Sequence, residues 1–423
     1  MRILLGGVVG LFLVACATTQ SAGPAPAAPP KESAPPPAPV VKEKTPEERK
    51  AELMAAFARE STPQAEQTFS VGEQRVTVES ATPVAPKRNE GSSVQVELGL
   101  GASQPVTCFV YERGLDVGTL ATRMAKSLTG DTSLSSVRVS DITVVEKSPA
   151  TFLELGYLAG KPGAQVLGQL KLMFYSSDES PLMCLHDEPG YVQSFKRITS
   201  TFAAAMARAL TSPEVKYDWR SVSVMRVKGA PIGFERTAWM TRSDGDRVSM
   251  SVTAMLVPRS ATEFLSTDGV TVTKFAKKDG RVIEKTEVSL NGGELERKLT
   301  LTRTKKGYHY EGTAQGKELA GDLVPTDAKG LLSDLLVAQK AKALTAAKPS
   351  FTYEEYSPGA NPAALTKTVV TRDASVPRGV IIEAGPMKMN TVLDEAGMPQ
   401  RLTLNAGPVV MELDRVFSEG KVE

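Results

Sequence analysis

From residue 217 onward, four dipeptides, Asp244-Gly245, Asp279-Gly280, Asn291-Gly292 and Lys306-Gly307, each separate two runs of strand character, and nothing else in the chain restricts its fold as much. Asn-Gly and Asp-Gly accept the positive φ of a tight hairpin turn whose twist matches the strands it joins, so the series predicts a meander of antiparallel hairpins. Between the turns, Val248, Met250, Val252, Ala254 and Leu256 alternate with Ser249, Ser251 and Thr253, while Leu295, Leu299 and Leu301 alternate with Glu296, Lys298, Thr300 and Thr302. A period of two predicts one buried and one wet face per strand. Pro325-Thr326-Asp327 opens a predicted helix over 327–346, with Leu331, Leu332, Leu335 and Leu336 on one side. Strands resume at 365–372, 378–383, 386–393, 400–404 and 408–413. About seven strands, a helix and about five more strands would expose two edges and an apolar face if they lay flat. Residues 217–417 are therefore expected to curl or close, with the interrupting helix plugging the concave side, so the chain reads as α+β followed by mainly β.

The α+β part spans 65–212, with strands expected at 74–80, 93–100, 105–112, 137–145, 151–159 and 166–176. Asp116 is expected to cap a helix carrying Leu120, Met124 and Leu128. A second helix follows Gly190, with Phe195, Ile198, Phe202, Ala205 and Ala209 on one stripe, as a helix docked across a sheet requires. Cys108 falls in the strand run 106–111 and Cys184 in a further short one at 182–185.

The N-terminal 44 residues have a different character. Residues 1–15 combine Met1-Arg2 with an apolar run of twelve residues over 3–14, too short to span a bilayer and suited to a signal peptide. The run ends in Leu13-Val14-Ala15-Cys16, which resembles the lipobox of bacterial lipoproteins. That resemblance implies cleavage before Cys16, fatty acyl groups such as palmitate on Cys16, and a membrane held through those acyl chains. Ala17, where an Asp would retain such a protein at the inner membrane, implies the outer membrane, with the protein facing the periplasm. With Cys16 acylated, Cys108 and Cys184 remain as an even pair in an oxidising compartment, and a disulfide is expected. Residues 16–45 form a stalk: eight of the sixteen residues over 24–39 are Pro, which favours extended polyproline II. Thr45-Pro46-Glu47-Glu48 then starts a short helix over 46–60 with the residues of a capping box.

The meander-helix-meander order resembles the LolA/LolB-type half-barrel of bacterial lipoprotein carriers and related bacterial domains of unassigned function. The residues carrying the likeness are the strand at Trp239, the turns at Gly245, Gly280 and Gly292, the Gly312-Thr313 and Gly316 segment, and the turn Asp394-Glu395-Ala396-Gly397-Met398-Pro399. The resemblance implies that residues 217–417 form an antiparallel unclosed barrel with a lid helix over an apolar cavity. Met250, Val252, Leu331, Leu335, Met387, Met389 and Met411 are the candidate ligand-lining residues, because flexible Met surfaces adapt to varied apolar ligands.

Chemistry is hard to find. The chain has two histidines. His186-Asp187-Glu188 reads either as a general base or weak metal corner, or as a solvated strand end; His309 reads as a cross-strand packing residue. Ser418-Glu419-Gly420-Lys421 has the spacing of a serine nucleophile and its lysine, but lies in a polar tail, and Gly99-Leu100-Gly101 reads as a turn. No catalytic residue, metal site or cofactor is predicted, and the chain is expected not to be an enzyme. Fifty basic against 48 acidic residues leave no electrostatic footprint for nucleic acid. Lys277-Lys278 and Lys305-Lys306 sit at hairpin tips that either touch anionic headgroups or are solvated turns. Two functions stay open: a lipoprotein sheltering an apolar ligand such as an acyl chain, or a non-catalytic scaffold for envelope proteins.

Overall fold

The computed structural model describes residues 45–421 apart from 72, 89–93, 113, 129–131, 162–164, 211–215, 360 and 407–408. The expected signal peptide at 1–15, the acylated Cys16 and the stalk up to residue 44 lie outside the described residues. The described part begins with helix α1 (Pro46–Phe57), whose capping box forms as predicted: Glu48 Oε2 accepts from the Thr45 N–H at 2.7 Å, and Thr45 Oγ1 accepts from the Glu48 N–H at 3.2 Å.

The α+β part holds a hairpin of β1 (Glu66–Val71) and β2 (Gln74–Glu79), then β3 (Lys87–Arg88), β4 (Val94–Leu98), β5 (Val106–Val110), α2 (Val117–Ser127), β6 (Thr132–Val145), β7 (Ser148–Ala159), β8 (Val166–Tyr175), β9 (Leu182–Asp187) and α3 (Val192–Leu210). Seven strands form an antiparallel sheet in the order β3-β4-β5-β9-β8-β7-β6. One face carries the hairpin and α3, whose Phe195, Ile198, Phe202 and Met206 pack on Phe152, Met173 and Tyr175. The Cys108–Cys184 disulfide joins residues directly opposite in β5 and β9, with Cα atoms 4.0 Å apart. The other face is covered as well, which is why the first eight residues of β7 are all buried.

That second cover is the barrel. Eight strands follow in sequence: β10 (Trp219–Val227), β11 (Ala230–Thr241), β12 (Arg247–Pro258), β13 (Phe264–Phe275), β14 (Val282–Asn291), β15 (Glu294–Arg303), β16 (Tyr308–Ala314) and β17 (Lys317–Leu323). After α4 (Asp334–Lys342) come six more: β18 (Ser350–Glu355), β19 (Thr366–Asp373), β20 (Gly379–Ala384), β21 (Met387–Leu393), β22 (Pro399–Ala406) and β23 (Val409–Gly420). The four predicted turn glycines, Gly245, Gly280, Gly292 and Gly307, all have positive φ at hairpin ends. The fourteen strands make one antiparallel sheet in which β23 pairs with β10, leaving β17 and β18 as the unpaired edges. The fold is thus an α+β unit followed by an unclosed antiparallel barrel, with eight and six strands where the turn series gives about seven and five; β18, preceded by no turn dipeptide, is among the additions.

Two expectations about local structure are corrected. The helix expected over 327–346 is confined to Asp334–Lys342, because the preceding residues are bound to the sheet. Val282 N–H donates to the Leu331 carbonyl at 3.1 Å, Leu331 N–H donates to the Tyr308 hydroxyl at 2.9 Å, and Ser333 Oγ then caps the helix. Asp116 stands at the N-cap of α2 but makes no capping bond with its side chain. The carboxylate that receives the N–H groups of Gly118 and Thr119 belongs to Asp268 in β13.

The alternating pattern also resolves in an unforeseen direction. Val224, Phe234, Ala254 and Leu256, on the convex side of β10 to β12, form one buried cluster with Leu153, Leu155, Leu172 and Phe174 of the seven-stranded sheet. The apolar face of this part of the barrel points outward, into the joint between the two units. Ser249 and Ser251, read as wet, are cross-strand partners of Trp239 and Thr237 on the concave side.

Candidate functional site

The concave side of the barrel, closed at one end by α4, contains a cavity of about 320 Å³. The cap is a cluster in which Trp219, Trp239, Phe275, Leu335, Ala338 and Met398 are all buried. The Trp219 and Trp239 rings meet edge to face with centroids 5.6 Å apart, and Trp239 repeats the arrangement with Phe275 at 6.1 Å. The turn flagged at Asp394 to Pro399 seats this lid. Asp394 Oδ1 accepts from the N–H groups of Ala396 and Met398 at 2.8 and 2.9 Å, and Oδ2 takes an ion pair from Arg415 at 2.6 Å. Gly397, at φ +90°, lies so close to the helix that a Cβ there would stand 2.5 Å from the Ala338 carbonyl oxygen.

The wall is mixed. Val370, Val380, Ile382 and Leu402 give it an apolar side, while Ser221, Ser223, Thr237, Thr271 and Thr273 line the other with hydroxyls. Three carboxylates, Glu235, Asp334 and Glu355, and one cation, Lys285, also reach it. Glu235 Oε1 accepts from Ser251 Oγ at 2.8 Å, Glu355 Oε1 accepts from Thr368 Oγ1 at 2.8 Å, and Lys285 Nζ donates to the Tyr356 carbonyl at 2.8 Å. Burial raises the pKa of Glu235, with the nearby Asp334 adding to the rise and the Ser251 hydrogen bond opposing it. Burial, followed by the charges of Glu355 and Asp334, pushes the Tyr353 phenol well above its ordinary value.

Of the seven residues read from the sequence as ligand-lining, Leu331 lines this cavity. Leu335 packs beside it in the lid cluster. Met250 and Val252 lie on the convex side, opposite Ala238 and Arg236 of β11, because the register places their Ser and Thr neighbours inside. Met389 lies opposite Ile382 in the register but, like Met387 and Met411, falls outside the cavity wall; Met387 is 42% exposed at a hairpin tip. The aromatic and carboxylate lining was missed. Its one available signal was that polar residues on a barrel strand can face an internal space as readily as solvent.

His186, Asp187 and Glu188 form no common site. His186 is fully buried, stacked on Phe195 and edge-on to Tyr191, rather than at a solvated strand end. Asp187 accepts from the Tyr157 hydroxyl at 2.6 Å, and Glu188 accepts from the Ser103 and Gln104 N–H groups at 3.0 and 3.1 Å. His309 Nδ1 lies 2.8 Å from Asp322 Oδ1, its cross-strand neighbour. Glu419 in the C-terminal strand pairs with Lys147 and Arg220. Among the described residues no three His, Cys, Asp or Glu side chains are grouped to hold a metal ion, and no helix is long and apolar enough to cross a membrane.

No protein-family model matches the chain, and no curated protein does. Among solved structures it is similar to a β-barrel-like protein of the domain of unknown function DUF1849 from Brucella abortus. The two share 14% identity, and the match covers 48% of this chain and 97% of that one at a TM-score of 0.36. It is also similar to a DUF1089 family protein from Pseudomonas aeruginosa, at 17% identity and a TM-score of 0.25, covering 39% of this chain and 87% of that one.

Proposed function

We propose that the barrel shelters a small ligand with an apolar body, held beneath α4, and that the chain does so as a lipoprotein anchored through acyl groups on Cys16 to the outer membrane, facing the periplasm. The observation that carries the binding reading is the cavity of about 320 Å³, within reach of the lower bound of ligand sites at roughly 300 Å³. Its lid is the short helix α4, and the residue Leu332 just before it meets the sheet in a single bridge with Arg281. The order of strands, lid helix and strands also fits the carrier-like outline of LolA/LolB-type half-barrels. The anchoring reading rests on Leu13-Val14-Ala15-Cys16 alone.

Native mass spectrometry of the chain purified gently from membranes tests both parts. The expected spectrum shows acyl mass on Cys16 and a co-purifying small molecule released by organic solvent. A chain that is unmodified at Cys16 contradicts the anchor, and one that never carries a ligand contradicts the shelter. A scaffold role in the envelope has one observation in its favour: Met387, Val409 and Val410, at adjacent hairpin tips away from α4, are each 42% exposed. Stable partners crosslinked through these tips would favour that reading.

A further inference from the structure

The cavity's charge says what kind of ligand it suits, on the reading that it holds one at all. Glu235, Asp334 and Glu355 face one cation, Lys285, and that ammonium already donates to the Tyr356 carbonyl at 2.8 Å. Among the described residues none of the three carboxylates is in an ion pair, and each is held by a modest contact instead. Ser251 serves Glu235, Thr368 serves Glu355, and Asp334 sits in the first turn of α4, where a negative charge suits the helix dipole. An acid placed in this cavity would meet three negative groups and a cation already engaged.

A second observation is independent of the carboxylates. The indole N–H of Trp239 and the hydroxyl of Tyr356 are buried without a hydrogen-bond partner, although their residues line the cavity and are only 3% and 2% exposed. Buried polar groups are nearly always satisfied, and orphans on a cavity wall point to a bound molecule: the Tyr356 hydroxyl can accept a donor from it, while the Trp239 N–H requires an acceptor beside it. The Trp219 ring already receives a cation, the Arg415 guanidinium, 6.0 Å from its centroid.

We propose that the cavity binds a protonated amine bearing an apolar tail, with the ammonium received by Glu235 and Asp334 and the tail laid against Trp219, Ile382 and Leu402. An alkylammonium brings N–H donors and a positive charge to a wall with more carboxyl groups than cations, and its tail needs no polar partner. A fatty acid of the same length could accept from Trp239 and Tyr356 but would bring its carboxylate among the carboxyl groups already on the wall.

The chain's two tryptophans both line the cavity, so intrinsic fluorescence reports directly on its filling. Titrating the full chain at neutral pH with dodecylammonium, dodecanol and dodecanoate, each below its micellar concentration, compares one tail with three charges. Dodecylammonium is expected to bind at least about ten-fold tighter than dodecanoate, equal to about 1.4 kcal/mol, with dodecanol between them. Glu235→Gln and Asp334→Asn, checked for folding by circular dichroism, are expected to narrow that ratio; unchanged ratios in both folded variants would remove the carboxylates from the proposal. Dodecanoate binding as tightly as the amine would overturn the charge preference while leaving the cavity as a ligand site. No fluorescence response to any of the three would overturn the ligand-binding reading itself.

Discussion

Asp268 of the barrel caps helix α2 of the other unit, its Oδ1 accepting from the Gly118 N–H at 2.7 Å and its Oδ2 from the Thr119 N–H and hydroxyl at 2.8 and 2.9 Å. The bond joins residues 149 positions apart and occupies the place where Asp116 would be expected to act. Replacing Asp268 with Ala leaves two buried N–H groups unpaired, and the expected cost is about 2 kcal/mol. Denaturant unfolding would show it as a lower midpoint. An unchanged midpoint would mean that the cap contributes nothing to holding the units together.

The disulfide between Cys108 and Cys184 closes a loop of 76 residues inside the core beneath α3. Its removal by Cys108→Ser with Cys184→Ser is expected to cost roughly 4 kcal/mol, mostly by enlarging the unfolded ensemble. Guanidinium titrations of the oxidised and doubly substituted chains measure the difference directly, and equal midpoints would contradict it.

His186 gives the fold an acid limit. Burial, helped by the neighbouring Lys171 charge, lowers its pKa from 6.5 to about 4. Neither ring nitrogen makes a well-formed hydrogen bond, although the Gln104 backbone stands close enough to favour the proton. The unfolded chain therefore takes up a proton on this histidine before the folded one does. Its contribution is intact above pH 6.5 and declines as pH falls towards about 4, by up to about 3 kcal/mol. His186→Phe keeps the ring contacts with Phe195 and Tyr191 and removes the titration. The variant should lose less stability than the parent between pH 6.5 and 4 in chemical denaturation; identical pH slopes would refute the assignment.

Lys171 is buried at 1% exposure, with its ammonium donating to the Glu188 carbonyl. Burial lowers its pKa from 10.5 to about 8, against the pull of Glu154, Asp187 and Glu188. The folded state thus pays a desolvation penalty to keep it charged at neutral pH, and Lys171→Met is expected to raise the melting temperature by a few degrees. A lower melting temperature would show that the surrounding carboxylates more than offset that penalty.

Leu335 is the residue through which the lid grips the tryptophans, buried at 6% exposure against Trp219 and Trp239. Leu335→Ala should cost about 3 kcal/mol and shift tryptophan emission to longer wavelength as water reaches the indoles. An unshifted spectrum would place the grip elsewhere.

The hairpins were legible because Asp-Gly and Asn-Gly turns act locally, and the Cys pair because the lipobox-like run sets Cys16 apart and leaves two. What escaped was the choice of face. Met250 and Ser251 alternate whichever way the sheet curves, and only the neighbouring unit, supplying Leu153 and Phe174, decides that the apolar set goes outward. A period of two identifies two faces without naming the inner one. The same ambiguity hid Glu235 and the tryptophan wall, since a carboxylate opposite Thr253 reads as solvated until the curvature is known. Asp268 was invisible for another reason: its partners belong to a helix far away in the chain, and no local rule connects them.

The pairing of β23 with β10 puts the last of the fourteen strands in chain order at the middle of the barrel rather than at its rim. Until that strand emerges, β10 has a bare edge and the apolar faces on either side of the seam have no common sheet. Such long-range pairing is slow to find and leaves partly built sheets exposed to aggregation. A newly made chain therefore has its α+β unit and first meander ready to fold while the barrel waits, which is the interval in which a holding chaperone would matter most.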